Sequence, residues 1–140
     1  MTSGTSNPSL AHAAERIGDR WTILVVGALL NGARRFGELS DEVPGIATNI
    51  LTRRLKHLER SGLLVARPYS QRPRRVEYQL TADGRDLADA LRLLASWGAR
   101  NSGGEDPRRH ESCGTPMEMV WHCPTCERDV LDGESEVRYL

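Results

Sequence analysis

No stretch of this 140-residue chain approaches the roughly 20 consecutive apolar residues that cross a membrane; the longest apolar run, residues 23–30, is broken by Gly27. The opening MTSGTSNPS lacks the basic-then-apolar plan of a secretory leader, so a cytoplasmic location is expected. Cysteine is missing until Cys113, and the remaining two are Cys123 and Cys126. An odd number crowded into one tail argues against a disulfide framework and towards metal binding or redox chemistry. Lysine is nearly missing too: Lys56 is the single lysine among 19 basic residues, a bias that carries no mechanism by itself. Internal repeats are lacking, and none of the four histidines falls in a pattern with a plausible nucleophile, which points away from an enzyme.

What is present is an ordinary globular composition, 39% apolar and 27% charged, in a length that accommodates one main domain and a small appendage. The net charge of zero is misleading. Residues 34–75 hold ten Lys and Arg against four Asp and Glu, so this segment carries +6 and the remainder −6. Segregated positive charge of that kind is the electrostatic footprint of a nucleic-acid-binding surface.

Residues 1–8 read as a flexible lead-in. Leu10, Ala13, Ala14 and Ile17 recur at helical spacing until Gly18. Asp19 suits the N-cap of a second helix with Trp21, Leu24, Val25, Ala28 and Leu29 on its buried side, ending at Asn31-Gly32. A third short helix spans residues 36–43, with Phe36, Leu39 and Val43 inward and Pro44-Gly45 as its stop. A fourth, 47–60, buries Leu51, Leu55 and Leu58 with Ile50 beside them, turns Thr48, Asn49, Thr52, Arg53, Lys56 and His57 the other way, and stops at Ser61-Gly62. Residues 63–66 and 76–80 suit strands, with a turn-rich loop at 68–75 between them. Thr81 is a good cap for a last long helix to about Arg100, whose apolar residues exceed one stripe; the surplus fits a partner subunit. A linker, 101–108, leads to a cysteine-rich tail, 109–140.

Helix, helix, Pro-Gly turn, helix, strand, basic loop, strand is the order of a winged helix-turn-helix. The fold class expected is α+β, mostly α: a two-stranded wing, a long C-terminal dimerisation helix and a small tail. A major groove about 12 Å wide admits one helix, and polar side chains on its outer face reach base edges. Here those are Thr48, Asn49, Thr52, Arg53 and Lys56, while Arg72, Arg74 and Arg75 of the loop are placed for phosphates or a minor groove. Arg54 and Arg60 suit intramolecular pairs instead, and His57 reads as a surface or phosphate-facing residue. The bland alternative is a solvated helix face beside an ordinary turn.

Ile17-Gly-Asp-Arg-Trp-Thr-Ile-Leu, Arg35-Phe-Gly-Glu-Leu, Pro44-Gly-Ile, Leu51-Thr-Arg-Arg-Leu-Lys-His-Leu-Glu, Gly62-Leu, Arg72-Pro-Arg-Arg-Val-Glu-Tyr-Gln-Leu-Thr and Gly84 together resemble the HxlR-type family of bacterial winged-helix regulators. The resemblance covers residues 9–100. It implies a homodimer joined through the first and last helices of that domain, binding a pseudo-palindromic operator in double-stranded DNA to regulate transcription. Many relatives carry a redox-sensing cysteine just ahead of the first helix; aligned on Trp21, Pro8 stands at that place, so this sensing device is absent and the effector is unknown.

In the tail, His110-Glu-Ser-Cys113-Gly and Cys123-Pro-Thr-Cys126 are two ligand pairs, each with two intervening residues, separated by nine. Such turns each present two ligands, and two of them facing each other close a tetrahedron around zinc. A structural Cys3His site of His110, Cys113, Cys123 and Cys126 is expected, Zn2+ supplying folding energy to a segment with little core. His122 is the competing imidazole but adjoins Cys123. Glu127 stands where such turns often carry glycine. Residues 117–121 read as a strand packing on the main domain. Two other readings stay open: a Cys123/Cys126 dithiol responding to oxidation, as a redox-responsive regulator or thiol protein, and inert cysteines. A thiol oxidoreductase would need a surrounding βαβ pattern that is missing, and a winged helix used only for protein docking sits poorly with an arginine-rich wing.

Overall fold

The computed structural model describes residues 7–106, 108–131 and 133–134. It divides after Leu91 into two compact units. The first contains α1 (Pro8–Ile17), α2 (Arg20–Leu29), β1 (Arg34–Arg35), α3 (Phe36–Glu42), α4 (Thr48–Arg60), β2 (Leu64–Gln71), β3 (Arg74–Leu80), α5 (Ala82–Arg85) and the start of α6 (Ala88–Ser102). Its strands form one antiparallel sheet in the order β1-β3-β2.

Local chemistry sets the helix ends. Asn7 caps α1, its side-chain oxygen accepting from Leu10 N at 2.9 Å, and Pro8 occupies the first helical position, where its missing N–H costs nothing. The helix therefore starts inside the stretch expected to be a lead-in. Asp19 caps α2 as expected: its carboxylate accepts from the amides of Trp21 (3.1 Å) and Thr22 (3.0 Å) and from the Thr22 hydroxyl. Partial burial pushes the Asp19 carboxyl up, but the Thr22 bonds, Arg54 and the Trp21 amide outweigh it and hold the group below its ordinary value. A depressed carboxylate stabilises the fold above its unfolded pKa, and that contribution disappears as pH falls through the folded one. Asp19→Ala should cost about 1–2 kcal/mol in urea unfolding at neutral pH, and Asp19→Asn distinctly less, because an amide oxygen still caps. Equal losses from both would show that charge, not capping, is what matters there.

The core gathers Val25, Val26 and Leu29 of α2, Leu39 and Val43, Ile46 of the turn, Leu51, Leu55 and Leu58 of α4, Leu63, Leu64, Leu80 and Leu91. Full burial of each leucine contributes about 1.5–3 kcal/mol. Residues 51, 55 and 58 were expected inward and are. On α2 the buried stripe is rotated: Thr22, Val25, Val26 and Leu29 face the core, whereas Leu24 is 41% exposed. The all-apolar run of α2 offers no polar face from which its orientation could be read.

Three elements differ from the sequence expectation. The two-residue strand β1 pairs with β3, Arg34 opposite Tyr78 and Arg35 opposite Glu77. The hairpin arms are longer, β2 reaching Gln71 and β3 starting at Arg74, so the expected eight-residue loop shrinks to Arg72-Pro73. The last helix is broken. Thr81 caps α5 through Gly84 N (3.1 Å), but the helix ends at Arg85 and α6 starts at Ala88. The tight Leu87 N to Gly84 O bond (3.3 Å) redirects the chain there, and Leu91 goes on into the core.

The second unit comprises the rest of α6 and the tail. In it, buried Ser96 Oγ lies 2.9 Å from Asp106 Oδ1, which also accepts from Arg108 N at 2.9 Å. The Arg108 amide first, then the Ser96 hydroxyl, hold the Asp106 carboxyl at about 2. An isolated bridge joins Arg109 and Pro116, and β4 (Trp121–Cys123) pairs antiparallel with β5 (Arg128–Val130). The strand expected at 117–121 thus begins only at its last residue. No helix among the described residues is long and apolar enough to cross a membrane.

Candidate nucleic-acid interface

The turn between α3 and α4 is built by Val43, which leaves the helix in an extended conformation, and by Gly45 at φ 77°, a conformation glycine takes without steric cost. Ile46 N closes it onto Val43 O at 3.3 Å, and Ile46 drops into the core. Ala47 then starts α4 with no side-chain cap on the first amides.

Alpha-helix α4 has three distinct sides. Leu51, Leu55 and Leu58 face the core. On a second side, Arg54 Nε lies 3.4 Å from Asp19 Oδ1, an ion pair without hydrogen-bond alignment, and His57 Nε2 lies 2.8 Å from the carbonyl oxygen of Arg16. His57 is thereby half-buried against α1, which corrects the surface or phosphate-facing reading. The third side carries Thr48, Asn49, Arg53 and Lys56, all exposed. Thr52 is half-buried, its hydroxyl donating to Thr48 O at 2.9 Å. Asn49 and Arg53, four apart, and Lys56, three further on, form one outward line, because residues three and four apart are neighbours on a helix surface.

The wing is the β2–β3 hairpin. Arg72 occupies its two-residue turn, whose Arg72–Pro73 peptide is cis, and Arg74 and Arg75 open β3; all three are exposed. Arg67 is exposed on the facing strand, opposite Glu77. The register shifts between Pro68 and Ser70, where Pro68 has no amide to donate to the ladder. The Arg35 guanidinium stacks 4.5 Å from the centroid of the Tyr69 ring, next to that bulge. Neither Arg67 nor the Arg35–Tyr69 pair was singled out from sequence. Arg67 is flagged by the arginine count alone, and the stacking depends on β1, which the sequence does not announce.

In the tail, His110 Nδ1 lies 3.4 Å from Cys113 Sγ and 2.8 Å from Ser112 Oγ. The hydroxyl and then the amide of Thr115 draw the Cys113 thiol below its ordinary value. Cys123 is lowered first by the Cys126 amide, then by its thiol and by the Thr125 amide; that same contact with Cys123 pushes Cys126 up. His122 is taken by Asp129, Nδ1 to Oδ1 at 2.9 Å. Each predicted pair is therefore together, but among the described residues no three His, Cys, Asp or Glu side chains converge as a metal site.

Comparison with known proteins bears on the family and the fold. The profile of the HxlR-like helix-turn-helix family matches residues 16–106. An uncharacterised HTH-type transcriptional regulator of Mycobacterium tuberculosis is 37% identical over 126 residues, spanning 87% of this chain and 79% of that one. Among solved structures, a transcriptional regulator described as of the MarR family, from Enterococcus faecalis, superposes with a TM-score of 0.61 at 34% identity, covering 73% of this chain and 94% of that one. The redox regulator HypR in its reduced form gives 0.63 at 31% identity, with 66% and 92% covered.

Proposed function

Since the chain belongs to the HxlR-like helix-turn-helix family and is a DNA-binding transcriptional regulator rather than an enzyme, we propose that it works as a homodimer reading a pseudo-palindromic operator. In this reading α4 enters the major groove and the wing lies on the backbone or in a neighbouring minor groove. The observation that carries it is the outward line Asn49–Arg53–Lys56, exposed while the opposite side of the same helix is anchored by three buried leucines. Asn suits bidentate contact with adenine and Arg with guanine, and the uncapped amides at the start of α4 suit a phosphate. Exposed Leu10 of α1 and exposed Leu94 and Trp97 of α6 support pairing of two copies through these helices, by the resemblance to the family.

Anisotropy titrations of the full chain against DNA from its own upstream region test the reading. Binding should weaken steeply with salt as phosphate contacts release counterions, and a footprint should show two half-sites about 34 Å apart, one helical turn. Arg74→Ala should weaken binding to every duplex alike and flatten the salt slope by about 1. Binding indifferent to salt would favour a protein-docking module instead. A second reading, a redox-responsive regulator, rests on the contact of Cys123 with Cys126 and on the likeness to HypR. It requires operator affinity to change when the Cys123/Cys126 pair is oxidised.

A further inference from the structure

The tail is two consecutive hairpins, each with a pair of nitrogen or sulphur donors at its tip. The first is closed by the Arg109–Pro116 bridge, with His110 N bonded to Thr115 O (2.9 Å) and Met117 N to Arg108 O (2.7 Å). The second is closed by β4 and β5, Cys123 lying opposite Arg128. In both tips the residue directly after the second donor is left-handed: Gly114 at φ 71° and Glu127 at φ 51°. Glu127 is the one non-glycine with positive φ among the described residues. A residue with a Cβ holds that conformation only where its surroundings demand it. Here the first tip is closed by Gly114 N bonded to His110 O at 2.7 Å, and the second turns at Glu127 to bring Arg128 back opposite Cys123.

We propose that His110, Cys113, Cys123 and Cys126 are the four ligands of one tetrahedral zinc site, whose two halves are preformed in these hairpins and are drawn together by the metal. Three sulphurs and an imidazole, with no carboxylate in the set, select a borderline-soft tetrahedral ion over calcium or magnesium. Burial adds little stability to the described part of the tail. Residues 109–122 are all exposed, Met117, Met119, Val120 and Trp121 among them. A segment with so little burial gains its folding energy from the ion. His122 is excluded from the set by its bond to Asp129 on the neighbouring strand. The site is independent of how the first unit meets DNA.

The test uses the full chain, purified without chelator, then stripped and titrated with cobalt(II) as a spectroscopic probe. One equivalent of zinc per chain is expected as purified. Cobalt should saturate at one equivalent with intense tetrahedral d–d bands and thiolate-to-cobalt charge transfer. Cys113→Ser, Cys123→Ser and His110→Ala should each lose or strongly weaken those bands, and His122→Ala should leave them intact. Protease should cut the tail in the stripped protein and spare it after zinc is restored, a readout that also covers variants with a damaged tail. Saturation at half an equivalent, bands indifferent to His110 and Cys113, or a metal-free chain with a protease-resistant tail would each overturn the proposal. The last result, with a Cys123–Cys126 disulfide present, would assign the pair to redox chemistry.

Discussion

Gly84→Ala is expected to destabilise the first unit by about 1–3 kcal/mol, the range for forcing a methyl group into a packed site, or more. A Cβ at this position would lie 2.1 Å from the backbone oxygen of Leu63 and 3.1 Å from Leu80 Cδ2. The leucine side chain has room to shift, but the carbonyl does not. It accepts from Thr81 N at 3.0 Å, while Thr81 Oγ1 donates to Gly62 O at 2.7 Å and accepts from Gly84 N at 3.1 Å. Gly62, Leu63, Thr81 and Gly84 thus form one knot, tying the end of α4 and the start of β2 to the turn after β3. Moving any strand of it breaks a bond in another. Urea unfolding provides the measurement, with Gly37→Ala as the control. Gly37 lies exposed on α3 with nothing within 4 Å of an added Cβ, and alanine there should be neutral or slightly stabilising. If the two variants unfold at the same denaturant concentration, α5 does not press on Leu63 in solution.

Arg53→Ala is expected to weaken binding to the protein's own operator by about 10–100-fold, corresponding to about 1–3 kcal/mol of base discrimination, and to change binding to unrelated duplex far less. The asymmetry is the informative part. Arg53 sits mid-way along the exposed line of α4, where no ion pair or hydrogen bond holds its guanidinium among the described residues, in contrast to Arg54, held beside Asp19. Removing it should leave stability nearly unchanged, because the buried leucines of the opposite side keep α4 in place. Arg53→Lys keeps the charge and loses the planar fork, so its operator affinity should fall nearly as far while its salt dependence persists. Equal losses on operator and unrelated DNA would mean that Arg53 meets phosphate, and the major-groove placement of α4 would fail.

The parts of the fold legible in the sequence are those decided locally. The caps at Asp19 and Thr81 and the Pro44-Gly45 turn are made by bonds between residues two or three apart, and the leucine spacing of α4 needs only helical periodicity. What escaped is decided at a distance. Leu24 and Val26 exchange roles because α2 is apolar all round, so only its neighbours fix the rotation. His57 turns to a carbonyl 41 residues earlier in the chain. Two arginines in a loop give no strand signal, and β1 exists because β3 has an open edge there. The exposed side of α4 was readable, and so was its limit at Arg54, expected to pair within the fold and found beside Asp19; the limit at His57 was not, since that imidazole looks like a phosphate-facing group until the Arg16 carbonyl is seen beside it. The cysteine spacing identified two turns, and the left-handed Glu127 shows why a residue other than glycine at that place did not abolish the second.

Arg35 has an effect larger than its size. It ends β1 against Glu77 of the wing, holds its backbone amide 2.8 Å from Glu38 Oε2 at the front of α3, and lays its guanidinium on Tyr69. The hairpin is consequently no free flap. If the wing meets phosphates and α4 the bases, as proposed, torque on the arginine tip would pass through these contacts of Arg35 to the front of α3, and gripping the duplex would be coupled to aiming at its bases.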